Sequence, residues 1–280
     1  MTRLDLILSW LTLGFEAILF SLVYARGLQR RLPFFAAYAT LLVPSMLVVL
    51  AAYVYLGFQS TRSYYVGWIT IGIDVLARSL VVAELCRYEL RAYRGIWALT
   101  WRALLVLAVL LLAHATVDAW GQPNRIAIYG LTLERDADIS AVIILAALLL
   151  IRKQYGFSFD PLSRSIAAGI LFFCAANTLN NTVLRDSFNQ YLSFWFFTKY
   201  ATFWSEMKSE VVRANEMWNF IRFSSFMVSM SIWCFALRKP LPAPAKEPVL
   251  LPAEVYRELS PALNLRLRAF NDRLQELLKT

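Results

Sequence analysis

Histidine is nearly absent from this chain, with His114 the single one in 280 residues. A membrane haem held by a pair of histidines is therefore excluded. Cysteine is scarce too. Cys86, Cys174 and Cys234 lie far apart in apolar stretches, with neither the pairing of a secreted disulfide framework nor the spacing of a metal site. We read them as small packing residues. No Walker sequence, dinucleotide fingerprint, HExxH or GxSxG occurs, which removes ordinary nucleotide, metalloprotease and serine-hydrolase chemistry. Lysine is missing from residues 219–237, so the last apolar stretch has no amine for a retinal Schiff base. These absences predict no catalytic residue, no cofactor and no metal, and the chain is not read as an enzyme.

Charge is the next shortage. Only 17% of residues are charged while 59% are hydrophobic, too much apolar surface for one soluble core to bury. Seven apolar stretches account for it, at about 5–25, 33–56, 65–86, 99–118, 138–151, 165–184 and 219–237. A hydrocarbon layer about 30 Å thick takes roughly 20 helical residues to cross, so the expectation is an all-α polytopic membrane protein with seven transmembrane helices. The flanks set its orientation. Arg26, Arg30 and Arg31, then Arg87, Arg91, Arg94 and Arg102, then Arg152, Lys153 and Arg164, and finally Arg238 and Lys239 fall on one face. The positive-inside bias makes that face cytoplasmic, with the N-terminus outside and the C-terminus inside. Opposite loops are mixed or acidic, with Asp118, Glu134, Asp136 and Asp138 in one and Asp186, Glu206, Glu210 and Glu216 in another. The net charge of +9 then reads as topology and anionic lipid at the cytoplasmic face rather than nucleic acid. The lipid bilayer, in a bacterial inner membrane, is the expected surrounding.

The first stretch is too long for a signal peptide, contains Glu16 and lacks a small-x-small cleavage site. Pro44 is expected to kink the second. The fifth is the shortest, and starts before Asp138 only if Asp136 and Glu134 lie among headgroups. Residues 188–204 hold nine aromatics with Lys199 near the centre, a composition suited to an extracytoplasmic interfacial helix. An eighth crossing there would put basic flanks on the wrong side. Residues 1–238 are thus expected to form the bundle. The stretch 239–252 contains five of the ten prolines and reads as an extended linker. In 253–280, Ser260 and Pro261 start a helix on which Leu263, Leu267, Phe270, Leu274 and Leu277 form an apolar stripe among arginines. This cytoplasmic amphipathic helix is expected to dock on the bundle, on anionic lipid, or on a protein partner.

Ionisable groups in hydrocarbon are expensive and mark where to look. Asp74 and Arg78 are one turn apart on the third stretch and can neutralise each other. Glu16 has no local cation, so it is expected either to be protonated or to meet a partner across the bundle, with Arg78 the candidate. Asn177 and Asn181 belong to a polar stripe with Cys174, Asn180 and Arg185, either interhelical glue or a cavity wall. Glu16, Asp74, Arg78, Asn177 and Asn181 form the candidate intramembrane cluster. Glu84, Arg87 and Arg91 form a candidate cytoplasmic cluster, and His114 is expected to pair with Asp118.

RGLQRRLPFFAAY before the second stretch, YYVGWITIGIDVLARSLVVAELCRYELRAY across the third, LERDADISAVIILAALLLIRKQYGFSF across the fifth and WNFIRF opening the seventh carry a resemblance. The chain resembles a large group of uncharacterised seven-helix bacterial membrane proteins of acidobacterial type. Glu84, Arg87, Glu134 and Arg135 fit that pattern, while 188–204 and the proline linker fit it less clearly. The resemblance implies fold and topology and carries no activity. Residues and resemblance together predict a receptor-like sensory or regulatory bundle without a catalytic domain. A transporter or channel subunit with a polar path, or a non-catalytic assembly subunit, is the alternative.

Overall fold

The computed structural model describes residues 3–57, 60–91, 94–121, 125–155, 160–183 and 204–238, with four isolated tail positions at 269, 272, 273 and 276. Among the described residues the secondary structure is entirely helical. The helices are α1 (Arg3–Ala25), α2 (Pro33–Leu56), α3 (Thr61–Leu90), α4 (Arg94–Ala119), α5 (Arg125–Tyr155), α6 (Pro161–Val183) and α7 (Trp204–Arg238), with one 3-10 turn, Leu28–Arg30. Six of them, all but α5, are long and apolar enough to cross a membrane, as a multi-pass membrane protein requires. Helix α5 has the length, at 31 residues, but carries Glu134, Arg135, Asp136 and Asp138 in its first half.

Neighbour contacts close a ring in the order α1, α2, α3, α5, α6, α7 and back to α1, with α4 outside against α3 and α5. The exterior of the ring is apolar. Leu76 is 63% exposed on the same helix on which Arg78 is 3% exposed, an inversion that lipid tolerates and water does not. On α4, Val106, Val109, Leu110 and Val117 all face outward.

The interior packs through close approach of a large ring to a small residue. Trp233 on α7 is buried, its ring edge-on to Phe35 at 5.5 Å and close to Tyr38 at 6.2 Å. It reaches α6 because Gly169 offers no side chain, since a Cβ there would lie 2.8 Å from Trp233 Cε2. Its indole N–H donates to the Ile166 carbonyl at 3.2 Å. Small-against-large contacts of this kind replace the hydrophobic driving force that lipid does not supply between helices.

One end of the bundle is stitched by side chains to helix termini. Gly27 takes a left-handed φ of 66°, which lets the chain turn between α1 and α2. Arg26 donates to the Leu237 carbonyl at 3.0 Å and to the Arg238 carbonyl at 2.6 Å, satisfying the last turn of α7 with a cation where the helix dipole favours one. Arg31 donates to the Tyr88 hydroxyl at 2.9 Å and pairs with Asp160 at 3.1 Å. These contacts join the ends of α1, α2, α3, α6 and α7 at one end of the bundle.

Helix α5 begins at Arg125, thirteen residues before the apolar stretch that marks it in the sequence. Glu134 is 0% and Asp138 1% exposed, so they lie inside the bundle and not among headgroups or in an acidic loop. Cations on α3 and α7 compensate them, which a hydropathy sum over one segment does not register. The tail positions Leu263, Leu267, Phe270, Leu274 and Leu277, the aromatic stretch up to residue 203 and the proline linker lie outside the described residues.

Candidate functional site

The buried charges converge where α1, α3, α5, α6 and α7 meet. Asp74 and Arg78 stand one turn apart on α3, with Arg78 Nη2 3.6 Å from Asp74 Oδ2. The same nitrogen is 3.3 Å from Asp138 Oδ1 and 3.7 Å from Glu134 Oε1, both on α5. Arg222 on α7 grips Glu134 with both terminal nitrogens, at 2.9 and 3.1 Å, the fork geometry that suits guanidinium to carboxylate. Asn177 on α6 donates to Asp138 Oδ2 at 2.6 Å. The guanidinium of Arg78 lies 4.6 Å from the ring centre of Phe173, and that of Arg222 lies 5.1 Å from Trp218, so each cation also has an aromatic neighbour.

Beside this network a cavity of ≈ 120 Å³ opens between α1, α2, α3, α6 and α7. Thr12, Glu16, Ser45, Thr70, Asp74 and Arg222 supply its polar lining. Thr12 is 1% and Glu16 3% exposed, and Thr12 Oγ1 and Glu16 Oε2 have no hydrogen-bond partner among the described residues. Glu16 and Asp74 each lie thirteen residues from the start of their helix, Arg3 and Thr61, a rise of about 20 Å. They sit well inside the bundle. Glu134 and Asp138 are matched by the guanidinium contacts at 2.9 and 3.3 Å. Asp74 has one ion pair, the long 3.6 Å contact to Arg78, with Arg222 and the Tyr38 hydroxyl as further neighbours, and Glu16 has no ion pair among the described residues. The two under-compensated carboxyl groups are the two that line the cavity.

The structure therefore groups Asp74, Arg78 and Asn177 in one network, with Glu16 next to it on the cavity wall. Arg78 is not the ion partner of Glu16, because α5 supplies it with closer carboxylates. Asn181 accepts from the Trp218 indole at 2.8 Å, and Asn180 donates to the Trp218 carbonyl at 3.0 Å. These two amides hold α6 to α7 outside the ion network.

Glu84 has Arg87 as an electrostatic neighbour, while its hydrogen bonds go to a different helix. Its two oxygens accept the backbone N–H groups of Phe34 and Phe35, each at 2.8 Å, capping the exposed donors at the start of α2. Arg91 lies over the Tyr88 ring instead, at 4.7 Å. His114 is paired with Asp136 on α5 at 2.6 Å and not with Asp118, which accepts from Thr132. Contact between α4 and α5 overrides the local spacing in both cases. Cys86, Cys174 and Cys234 are free and buried.

Sequence reasoning missed Glu134, Asp138 and Arg222 as members of the site. A signal for the first two was present. Glu134, Asp138, Ala141, Leu145 and Leu148 are spaced 4, 3, 4 and 3 apart and are all buried, so the carboxylates continue the inward stripe of α5. Arg222 has no comparable signal on its own helix. No family model matches the chain, and no curated protein and no solved structure proved similar to it.

Proposed function

We propose that this protein is a receptor-like sensory or regulatory bundle, and that a small ligand in the internal cavity sets the state of the buried charge network. In this reading all seven helices cross the membrane, α5 among them, with the N-terminus outside and the tail in the bacterial cytoplasm. The observation that carries it is the contiguity of cavity and network. Asp74 lines the cavity and contacts Arg78, Arg78 contacts both carboxylates of α5, and Glu134 binds Arg222 of α7. An occupant that engages Asp74 changes what Arg78 must neutralise, and so biases the packing of α3, α5 and α7 together. Such a network has discrete arrangements, since a buried ion pair is costly to leave half made.

Full-length protein in lipid nanodiscs and in sealed proteoliposomes tests the reading against the transporter alternative. Fluorescence of a dye on the tail should change when a cavity ligand is added, while radiolabelled ligand outside the proteoliposomes should not accumulate within. Accumulation that survives deletion of residues 253–280 would identify a transporter and overturn the sensory reading.

A further inference from the structure

We propose that the cavity between α1, α2, α3, α6 and α7 binds a small organic ammonium ion, with Glu16 and Asp74 as its counter-charges. The inference rests on the sensory reading only in taking the cavity to be a ligand site, and it names the class of ligand.

Charge comes first. The cluster holds four carboxyl groups, Glu16, Asp74, Glu134 and Asp138, against two guanidinium groups, Arg78 and Arg222. Full ionisation would leave a formal excess of two negative charges in a low-dielectric interior, where an uncompensated charge is costly. A cation placed between Glu16 and Asp74 meets the two carboxyls with the weakest compensation. An anion would face both. Arg222 does not reverse this preference, because its fork is already engaged by Glu134.

Lining chemistry then selects the kind of cation. Phe173, Phe223 and Phe226 border the same cavity, and phenyl faces attract an ammonium group. A hard metal ion wants six or more oxygen ligands at close range, whereas no three His, Cys, Asp or Glu side chains among the described residues form a metal-holding group. A wholly apolar occupant would strand Glu16 Oε2 and Thr12 Oγ1, both buried and without a partner among the described residues. An ammonium with N–H donors and a short apolar body meets the carboxyls, the Thr12 hydroxyl and the phenyl rings at once. Size is the last limit. At ≈ 120 Å³ the cavity is well below the roughly 300–1,000 Å³ of sites for drug-sized molecules, so the ligand has only a few heavy atoms.

Titration calorimetry of full-length protein in nanodiscs of zwitterionic lipid tests the proposal, with butylammonium and tetramethylammonium as probes and butanol, butyrate and sodium as controls. Saturable butylammonium binding is expected, weakened roughly tenfold or more, about 1.4 kcal/mol, by Glu16→Gln. Glu16 makes no ion pair among the described residues, so this isosteric change leaves the network of Arg78 and Arg222 intact. Ser45→Phe, which fills the cavity without touching a charge, should also abolish binding, while Glu84→Gln at the start of α2 should leave it within about twofold. Butylammonium binding that Glu16→Gln and Ser45→Phe both leave unchanged would overturn the site. Binding of butyrate, butanol or sodium in preference to both ammonium probes would overturn the ligand class while leaving the cavity a ligand site. Binding of none of the probes would overturn this proposal and remove the support for the sensory reading with it.

Discussion

Replacing Arg78 by alanine should destabilise the bundle more than any other single truncation in it. Arg78 is 3% exposed and lies within 4 Å of Asp74, Glu134 and Asp138. Removing it leaves Asp138 with the Asn177 amide at 2.6 Å and the Cys174 thiol but no ion pair, and Asp74 with only Arg222 as a more distant cation. Breaking a buried pair by deleting one partner costs about 3–5 kcal/mol, whereas an ordinary interhelical hydrogen bond in a membrane contributes about 0.6 kcal/mol. The two scales separate the readings. Unfolding equilibria in bicelles for wild type, Arg78→Ala, Asp138→Asn and the double variant would close a thermodynamic cycle. Asp138→Asn removes one carboxylate charge, so the double variant should recover part of the loss, with a coupling of roughly 1–3 kcal/mol. Arg78→Lys should fall between, since one ammonium cannot serve three carboxylates as the guanidinium does. An Arg78→Ala cost under about 1 kcal/mol would refute the idea that this cation holds α3 to α5.

Three further outcomes follow from individual contacts. Glu84→Ala strips the Phe34 and Phe35 amides of their acceptors, costing about 1.5–3 kcal/mol and speeding hydrogen exchange at those two amides; unchanged exchange would remove the cap from the account. Gly169→Ala drives a methyl group against Trp233 and should cost about 1–3 kcal/mol, while Gly72→Ala, with open space around it, should be neutral or stabilising by up to about 1 kcal/mol in thermal unfolding. His114→Asn should change stability by less than about 1 kcal/mol, because the pair with Asp136 is 56% exposed on the histidine side; a larger loss in the same unfolding assay would mean the pair is not a surface contact.

Local information in the chain reaches some of this architecture and stops where partners are distant. The stretch 33–56 coincides with α2 because proline at the first helical position and Gly57 just beyond the last residue mark its ends. The Asp74–Arg78 pair is legible because both residues belong to one helix. The two contacts of Arg78 with α5 and the whole role of Arg222 are not, since they depend on α5 lying beside α3 and on α7 bringing Arg222 to Glu134. Glu134 and Asp138 were hidden by their chemistry. A window of hydropathy counts a paired carboxylate as it counts a solvated one, and so the stretch 138–151 looked short while the helix begins at Arg125. Glu84 is half legible: Arg87 nearby in sequence does act on it, but the groups that it accepts from are backbone amides 49 and 50 residues away.

The central claim is that α5 crosses the membrane and carries its carboxylates into the bundle, and cysteine labelling at its two ends tests it directly. Trp120 before α5 and Arg164 after it are both exposed, and the three native cysteines are buried, so Trp120→Cys and Arg164→Cys give clean single sites. A membrane-impermeant maleimide applied to intact cells should label Trp120→Cys, and should reach Arg164→Cys only after the membrane is opened. Labelling of both sites from the same side would show that α5 does not cross, and would contradict the account.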